Sequence, residues 1–258
     1  MPSILYEIKD AIAFITLNRP DKFNSFNREM SLLLQQHLQD ADKDTSVRCV
    51  YLTGAGKAFC AGQDLAEVAD PKGPGMDKIL KEHFNPITTL LRKIKKPVVA
   101  AINGVAAGAG ANFALACDIV VAKESASFIQ AFSKIGLIPD SGGTYLLPRL
   151  IGFQKACALM MLGDKVSAAE AERIGMIYKY FADDVFEAEA MKLAATVAAM
   201  PTKALGLIKE ALNESLNNNL EQQLTAEDSY QQVAGKSEDF KEGVRAFLEK
   251  RQPIFKGQ

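Results

Sequence analysis

The segment from Val98 to Ile102 constrains the fold of this 258-residue chain more than any other. It is a continuous run of apolar residues, which is typical of a strand buried on both faces of a sheet. Such strands occur mostly in parallel sheets covered by helices. The small residues Gly108 to Gly110 follow and open a predicted helix that runs through Leu115. This stretch therefore predicts an α/β fold with a largely parallel sheet.

The alternation of strands and helices extends towards the N terminus. Two short apolar runs around Lys9 and Asp10 predict a β-hairpin. From Asn27 the apolar residues recur at the spacing of one buried helix face. The Pro- and Gly-rich segment Asp70 to Gly75 predicts an irregular, mobile loop. Three further segments are predicted: a strand over Arg48 to Leu52, a helix over Met76 to Ile94 and a strand over Ile119 to Ala122.

The strand pattern fades after Gly152, and helix-like spacing takes its place. We therefore predict a core over residues 1–180 and a helical C-terminal region over residues 181–258. The six predicted helices are Gln154 to Leu162, Ala168 to Ile174, Val185 to Met200, Thr202 to Asn217, Leu220 to Ala234 and Glu238 to Lys250.

Composition and charge exclude several classes of partner. Apolar residues make up 48% of the chain and charged residues 24%, which is typical of a globular protein with a large core. The 30 basic and 31 acidic residues give a net charge of −1, so we expect neither nucleic acid nor a membrane surface as a partner. No apolar run approaches the roughly 18 residues of a membrane span. The four cysteines lack metal-ligand spacing and are predicted to be free thiols in a cytoplasmic protein that binds no metal.

Three Gly-rich turns could carry chemistry. Asp140 opens the turn Asp140-Ser141-Gly142-Gly143, either as a functional carboxylate or as the cap of the helix that follows. The small residues Gly104 to Gly110 leave backbone N–H groups at a helix N terminus, which can bind an oxyanion, although close packing also requires small residues. The segment Phe59 to Leu65 is a third such turn, which alone would be a helix start capped by Asp64.

The turn at Asp140 also allows an enzyme of another class. The sequence Asp140-Ser141-Gly142-Gly143 is similar to the segment around the nucleophile of chymotrypsin-like serine proteases. A serine nucleophile needs a base within hydrogen-bonding distance. The chain contains only His37 and His83, and both lie in predicted helices, where a structural role is more common. A serine hydrolase is therefore kept only as a distant alternative.

Taken together and in order, five segments resemble the enoyl-CoA hydratase/isomerase family, which is the crotonase superfamily. The resemblance implies a crotonase-like spiral of ββα units with a helical C-terminal trimerisation region, and an acyl-CoA thioester as substrate. It also implies an oxyanion hole formed by the backbone N–H groups of Gln63 and Ala109. The five segments are Leu17 to Pro20, Ala61 to Leu65, Asn103 to Gly110, Cys117 to Ile119, and Gly142 to Thr144 with Leu147 to Arg149.

The resemblance also bears on the type of reaction. Hydratases of this family carry two glutamates that position a water molecule, and this sequence has Asn112 and Phe132 at those places. It has a carboxylate at Asp140 instead, and a single carboxylate suffices for an isomerase that moves a proton between two carbons. The resemblance therefore implies an acyl-CoA isomerase with Asp140 as the acid/base residue.

The segment Ala131 to Asp140, together with Gly104 to Ala111, resembles more closely still the family members of phenylacetate degradation, which convert a ring epoxide of the acyl-CoA into an oxepin-CoA. The alternatives are a Δ3,Δ2-enoyl-CoA isomerase and an enoyl-CoA hydratase of fatty acid β-oxidation. A non-catalytic scaffold of the same fold, or an RNA-binding relative, is a more distant alternative. The near-zero net charge argues against RNA, and the retained Asp140 argues against an inactive relative.

The resemblance further implies where coenzyme A would lie and how the chain would assemble. We expect a homotrimer or a dimer of trimers. No separate cofactor is expected, because coenzyme A enters as part of the substrate. Lysines on this surface could equally be solvated charges. The residues expected to contact substrate or coenzyme A are Lys22, Ala61, Gly62, Asp64, Leu65, Gly108, Gly110, Phe132, Phe255 and Lys256.

Overall fold

A computed structural model describes residues 2–258 of the chain. The predicted N-terminal hairpin is present as an antiparallel pair of strands, β1 (Ile4–Lys9) and β2 (Ile12–Leu17). Its two loop residues, Asp10 and Ala11, both have positive φ angles, of 50° and 61°. A two-residue loop of this kind matches the right-handed twist of the paired strands.

The hairpin forms one edge of a six-stranded sheet. From β2 onwards every neighbouring pair in this sheet is parallel, as the apolar run at residues 98–102 predicts. The strand order is β1-β2-β3-β5-β7-β10. The other four strands are β3 (Cys49–Gly54), β5 (Val98–Ile102), β7 (Ile119–Lys123) and β10 (Lys179–Phe181).

A smaller, four-stranded sheet has the order β4-β6-β8-β9. Three times in succession the chain places one strand in the large sheet and the next in the small sheet, and then forms a helix. This repetition is the predicted spiral of ββα units, and it confirms the predicted fold class. The strands of the small sheet are β4 (Ala58–Cys60), β6 (Val105–Ala107), β8 (Ser127–Ile129) and β9 (Lys165–Ser167).

The helices of the core follow the predicted pattern, with one interruption. The predicted helix over residues 76–94 contains a π-helical turn, Ile79–Phe84, which separates two α-helical parts. Asn27 caps the first helix by accepting a hydrogen bond from the Met30 N–H. The helices are α1 (Arg28–Lys43), α2 (Leu65–Ala69), α3 (Met76–Lys78), α4 (Asn85–Lys93), α5 (Ala109–Ala116), α6 (Gly143–Ile151), α7 (Phe153–Leu162) and α8 (Ala168–Arg173).

The six-stranded sheet is buried on both faces. In β3, Val50 and Leu52 pack into the main core, whereas Cys49 and Tyr51 face the opposite side. That second side is covered by α9 (Phe186–Ala199). Because successive residues of a strand point to opposite faces, a strand between two apolar layers must be apolar throughout.

The region after Gly152 is mostly helical, but it also contributes β9 and β10, which the sequence did not predict. Lys209 joins this region to the sheet: its Nζ donates to Asp118 Oδ2 at 2.7 Å, and that oxygen also accepts from the Val98 N–H. Across residues 2–258, no single helix is long and apolar enough to cross a membrane. Helix α9 and the helix after it, α10 (Thr202–Ser215), reach that length and hydropathy only together, and they are bent by 100° relative to each other. The last helices are α10 (Thr202–Ser215), α11 (Leu220–Gly235) and α12 (Glu238–Leu248).

Candidate active site

A pocket of about 210 Å³ lies where three parallel strands of the small sheet end. Ala61 directly follows β4, Gly108 follows β6, and Ala131 lies two residues after β8. Carboxyl ends of parallel strands commonly surround ligand sites, because the loops after the strands converge there. The pocket is lined by Ala61, Gln63, Leu65, Val68, Met76, Ile79, Phe84, Gly108, Ala109, Ala131, Phe132, Lys134, Ile135, Leu137 and Asp140.

The backbone N–H of Gln63 is available for a ligand. Phe26 binds the two peptide groups that flank the Gln63 Cα through their other polar atoms: its N–H donates to the Gly62 carbonyl, and its carbonyl accepts from the Asp64 N–H. The parallel pairing of Phe26 with Gln63 turns the N–H of Gln63 away from this contact. Within residues 2–258 that N–H has no hydrogen-bond partner.

Ala109 provides a second N–H group at the same place. It is the first residue of α5, so its N–H has no partner within the helix and none elsewhere in residues 2–258. A Cβ atom on Gly62 would lie 3.3 Å from the Ala109 nitrogen, so the loop that carries Gln63 passes directly beside this helix terminus. The helix dipole adds to the positive potential of the two groups.

Small residues are required here by close packing as well as by the exposed N–H groups. Gly62 has a φ of +93°, and a Cβ atom on it would lie 2.9 Å from the Ala107 carbonyl oxygen. A Cβ on Gly110 would lie 2.6 Å from Cys60 Sγ. The two explanations of these glycines are therefore compatible: close packing of α5 on β4 is what brings both N–H groups together.

Asp140 faces the pocket from a tight turn. The Gly143 N–H donates to its carbonyl at 2.8 Å, and the two central residues, Ser141 and Gly142, have φ angles of +51° and +76°. Helix α6 begins after Gly142 without a side-chain cap, so the alternative that Asp140 caps this helix is wrong. Burial raises the pKa of the Asp140 carboxyl to about 6, although the hydrogen bond that Ser141 Oγ donates to Oδ1 opposes the shift.

Asn112 lies behind the Asp140 turn rather than in the pocket. It is fully buried, and its Nδ2 donates to the Asp140 carbonyl at 2.9 Å. Its Oδ1 accepts a hydrogen bond of 2.8 Å from Gln130 Nε2. In the sequence Asn112 stands out only at the place of a missing glutamate and Gln130 does not stand out at all, because nothing there shows that these residues meet. Phe132, at the place of the other missing glutamate, lines the pocket.

The other residues expected to contact substrate fall into two groups. Ala61, Leu65 and Gly108 line the pocket together with Phe132. Gly62 and Gly110 lie behind its wall, Asp64 caps α2 and forms an ion pair of 2.8 Å with Arg19, and Lys22 lies exposed in a 3₁₀ turn.

Phe255 and Lys256 are not among the residues that line this pocket. Phe255 packs beside Gly243 of α12, and the Lys256 N–H donates to Asp239 at the start of that helix. The structure therefore does not bring them to the pocket of their own chain. Their contact with a coenzyme A bound to a neighbouring subunit stays a prediction.

The serine hydrolase alternative finds no support in this geometry. His37 stacks on Tyr6, with ring centroids 4.6 Å apart, and His83 is buried in the π-helical turn. In the part of the chain that the structure describes, neither histidine is hydrogen-bonded to Ser141, whose hydroxyl donates to Asp140. Among the same residues, no group of three or more His, Cys, Asp or Glu side chains could hold a metal ion.

Comparison with known proteins assigns the family. The family model of enoyl-CoA hydratase/isomerase matches residues 7–258. The chain belongs to the enoyl-CoA hydratase/isomerase family. This confirms the resemblance found in the sequence, and the homologues named as isomerases or hydratase/isomerases make the chain an enzyme of this family.

Individual members of the family match along the whole chain. The 1,2-epoxyphenylacetyl-CoA isomerase of Escherichia coli (strain K12) is 48% identical over 261 residues, with 100% of both chains covered. The 2,3-dehydroadipyl-CoA hydratase of the same organism is 33% identical over 258 residues, again with 100% of both covered. The crystal structure of enoyl-CoA hydratase from Bacillus anthracis has a TM-score of 0.92 and 35% identity, and the match covers 99% of this chain and 100% of that one.

Proposed function

We propose that this enzyme is an acyl-CoA isomerase in which Asp140 moves a proton while the N–H groups of Gln63 and Ala109 hold the thioester oxygen. One observation carries the proposal. Asp140 is the one carboxyl group among the described residues that line the pocket, and it shares that pocket with the two unpaired N–H groups. A thioester placed there would have its carbonyl oxygen on the donors and its neighbouring carbon open to the carboxylate.

The proposed reaction begins with removal of a proton from the carbon next to the thioester carbonyl. Asp140 takes the proton, and the electron pair moves onto the carbonyl oxygen, where the two N–H groups stabilise the enolate. The protonated Asp140 then returns the proton to a carbon further along the conjugated chain. A β,γ double bond thereby becomes an α,β double bond, and no atom is gained or lost.

The raised pKa suits this double role. A carboxyl group with a pKa of about 6 is ionised at neutral pH, yet it is a stronger base than an ordinary aspartate.

The proposed substrate is a ring epoxide of phenylacetyl-CoA. Two observations support it: the 48% identity to an isomerase of that substrate, and the apolar walls formed by Leu65, Val68 and Met76, which suit a hydrocarbon ring. Opening of the ring C–C bond that the epoxide bridges gives a seven-membered ring. Asp140 then takes a proton from the carbon next to the thioester carbonyl and returns it to a carbon of the ring. The double bond that forms between that side-chain carbon and the ring is conjugated with the thioester.

Hydration is the competing activity, and a relative at 33% identity is named a hydratase. Addition of water needs a group that holds and activates the water as well as one that delivers a proton to carbon. Phe132 is apolar, and the amide of Asn112 is engaged with Asp140 and Gln130. The Δ3,Δ2-enoyl-CoA isomerase reaction needs the same groups as the proposed one and is kept as the alternative substrate assignment.

A panel of three acyl-CoA substrates tests the proposal: the ring epoxide, a β,γ-unsaturated acyl-CoA and crotonyl-CoA. We expect turnover of the first two and hydration of crotonyl-CoA that is slower by at least about 100-fold, the loss typical of a missing acid/base group. Turnover of the second substrate alone would favour the Δ3,Δ2-enoyl-CoA isomerase. Hydration as fast as isomerisation would contradict Asp140 as the single acid/base residue.

We also propose that the enzyme is a homotrimer or a dimer of trimers. Large apolar side chains stay exposed on the last three helices of the single chain, among them Leu212, Leu224 and Phe247, which are 60%, 54% and 82% exposed. Obligate interfaces of this kind bury on the order of 2,000 Å² or more. Light scattering at micromolar concentration tests this, and a monomer would contradict it.

The remaining site proposals follow from the expected position of coenzyme A. Lys22 is proposed to contact coenzyme A, and Phe255 and Lys256 to contact a coenzyme A bound to a neighbouring subunit. The proposed reaction uses no separate cofactor, because coenzyme A enters with the substrate. A cytoplasmic location stays a prediction from the sequence.

A further inference from the structure

We propose that Asn112 and Gln130 are positioning residues, which hold the Asp140 turn at a fixed place relative to the N terminus of α5. This inference rests on the proposed function, because it assigns a purpose to the position of Asp140. It concerns two side chains that do not line the pocket and act through another residue.

The direction of both amide groups follows from one contact. A backbone carbonyl oxygen can only accept a hydrogen bond, so the atom of Asn112 that lies 2.9 Å from the Asp140 carbonyl must be Nδ2. Oδ1 of Asn112 then faces Gln130 and needs a donor, which Nε2 supplies at 2.8 Å. The chain of two hydrogen bonds therefore has one consistent direction, from Gln130 through Asn112 to Asp140.

These two hydrogen bonds join three walls of the pocket. Asn112 lies in the first turn of α5, three residues after Ala109. Gln130 directly precedes the 3₁₀ turn Ala131–Ile135, which carries Phe132. Asp140 follows this turn along the chain. The pair thus sets the distance between the proposed base and the proposed oxyanion donor on α5, and it ties both to the apolar wall.

Packing alone does not account for this pair. Asn112 is fully buried and Gln130 nearly so, and Gln130 Oε1 has no hydrogen-bond partner within residues 2–258. A buried acceptor without a partner lowers stability, whereas two apolar side chains of similar shape would not. Departures from good packing rules of this kind are expected where function requires them.

The turn is also shaped around Asn112. A Cβ atom on Gly143 would lie 2.3 Å from Asn112 Nδ2, so only glycine allows the amide to reach the carbonyl of Asp140. The Gly143 N–H donates to the same carbonyl. Two donors therefore fix this peptide group, and loss of Asn112 would leave only the one within the turn itself.

The test compares Asn112→Ala and Gln130→Leu with the unaltered enzyme. Two readouts are used: isomerisation of a β,γ-unsaturated acyl-CoA, and exchange of the α-protons of phenylacetyl-CoA with D₂O, which requires only the base and the oxyanion donors. A displacement of about 1 Å can lower a rate up to about 100-fold. We expect Asn112→Ala to lower kcat and the exchange rate by about 10- to 100-fold with KM within about twofold, and Gln130→Leu to act in the same direction more weakly.

The pH profile separates positioning from general loss of structure. When the Asp140 turn loosens, the carboxyl gains contact with water, and we expect the midpoint of the kcat/KM profile to move below that of the unaltered enzyme. A change in stability alone would leave this midpoint in place.

Asn213→Ala is a matched control. Asn213 also bridges two elements through its amide, donating to the Arg92 carbonyl at 2.8 Å between α10 and α4. We expect it to lose stability while kcat stays within about twofold. The inference is overturned if the Asn112 and Gln130 variants behave like this control, or if their KM values rise in proportion to the loss in rate.

Three further outcomes can be told apart. If Asn112→Ala does not fold, Asn112→Ser and Gln130→Leu carry the same comparison. If the unaltered enzyme exchanges no α-protons, the proposed function itself fails. If it exchanges them and the variants do so equally well, only the positioning role fails.

Discussion

The two sides of the pocket present different kinds of chemistry. On one side, the loop with Gln63 and the start of α5 offer backbone N–H groups, and their positions follow from glycines that allow close packing. On the other side, Asp140 offers a side chain whose properties depend on its burial, on Ser141 and on the buried amide of Asn112. Backbone donors need small residues at fixed spacing, whereas the properties of a carboxylate also depend on residues that are distant in sequence, such as Asn112.

Replacement of Asp140 tests the side-chain half of this comparison and has the largest expected effect. Asp140→Asn keeps the shape but removes the basicity, so we expect a loss of at least about 10²- to 10⁴-fold in isomerisation and α-proton exchange, with near-normal acyl-CoA affinity. Glu82→Gln, at an exposed carboxylate of the π-helical turn, is the control and should keep its activity. If the Asp140→Asn variant kept most of its turnover, another residue would have to be the base.

Removal of one N–H group tests the backbone half. Incorporation of lactic acid in place of Ala109 replaces the N–H by an ester oxygen and changes no side chain. Loss of one oxyanion donor typically lowers kcat by about 10²- to 10³-fold, and we expect a loss in that range, measured by steady-state kinetics. An effect below about threefold would mean that the thioester oxygen lies elsewhere.

The pH dependence distinguishes the two sides of the pocket, because backbone donors do not titrate and Asp140 does. The carboxyl must be ionised to take a proton, and its pKa is raised to about 6. We therefore expect kcat/KM to rise about tenfold per pH unit below that value and to level off above it. The backbone ester at position 109 should keep the midpoint while it lowers the plateau. A midpoint near 4 in the unaltered enzyme would show an ordinary, solvated aspartate.

The smallest expected effect is a gain in stability. In the unfolded chain the Asp140 carboxyl has its usual pKa of 3.8, and in the folded protein the pKa is about 6, so the folded state loses stability as the pH rises between these values. Asp140→Asn removes this cost, and we expect it to raise the free energy of unfolding by about 1–3 kcal/mol above pH 6, with the gain fading below pH 4. Melting temperatures at pH 4 and pH 8 measure it, and an equal change at both would contradict it.

The contrast between features set by the local sequence and features set by distant contacts explains how far the sequence predicts the structure. The apolar run at Val98 to Ile102 coincides with β5, because a strand buried on both faces must consist of apolar residues throughout. The small residues around Gln63 and Ala109 mark a close approach of two loops, because larger side chains would not fit there; their role as oxyanion donors came only from the family resemblance and stays a prediction. The three-residue strands β4, β6 and β8 are too short to show an alternating pattern, and the predicted helix over residues 76–94 does not reveal its π-helical turn.

What the sequence could not supply is contact between distant polar side chains. Gln130 is an isolated amide in the sequence, and its partner Asn112 lies 18 residues away. The sequence alone is equally consistent with Asp140 as a helix cap. Only the turn at Ser141 and Gly142, which the structure shows, places Asp140 in the pocket.

The partly buried contact between Asp118 and Lys209 affects how the chain folds during synthesis. The carboxylate accepts hydrogen bonds from the Val98 N–H at the start of β5 and from Lys209 of α10, which lies 91 residues further along the chain. During synthesis Asp118 leaves the ribosome long before its cation does. The large sheet can assemble in that interval, but the carboxylate that directly precedes β7 stays without its positive partner until α10 has emerged. Completion of the core therefore waits for the C-terminal helices, and a chain that stops before residue 209 should be held by chaperones or degraded.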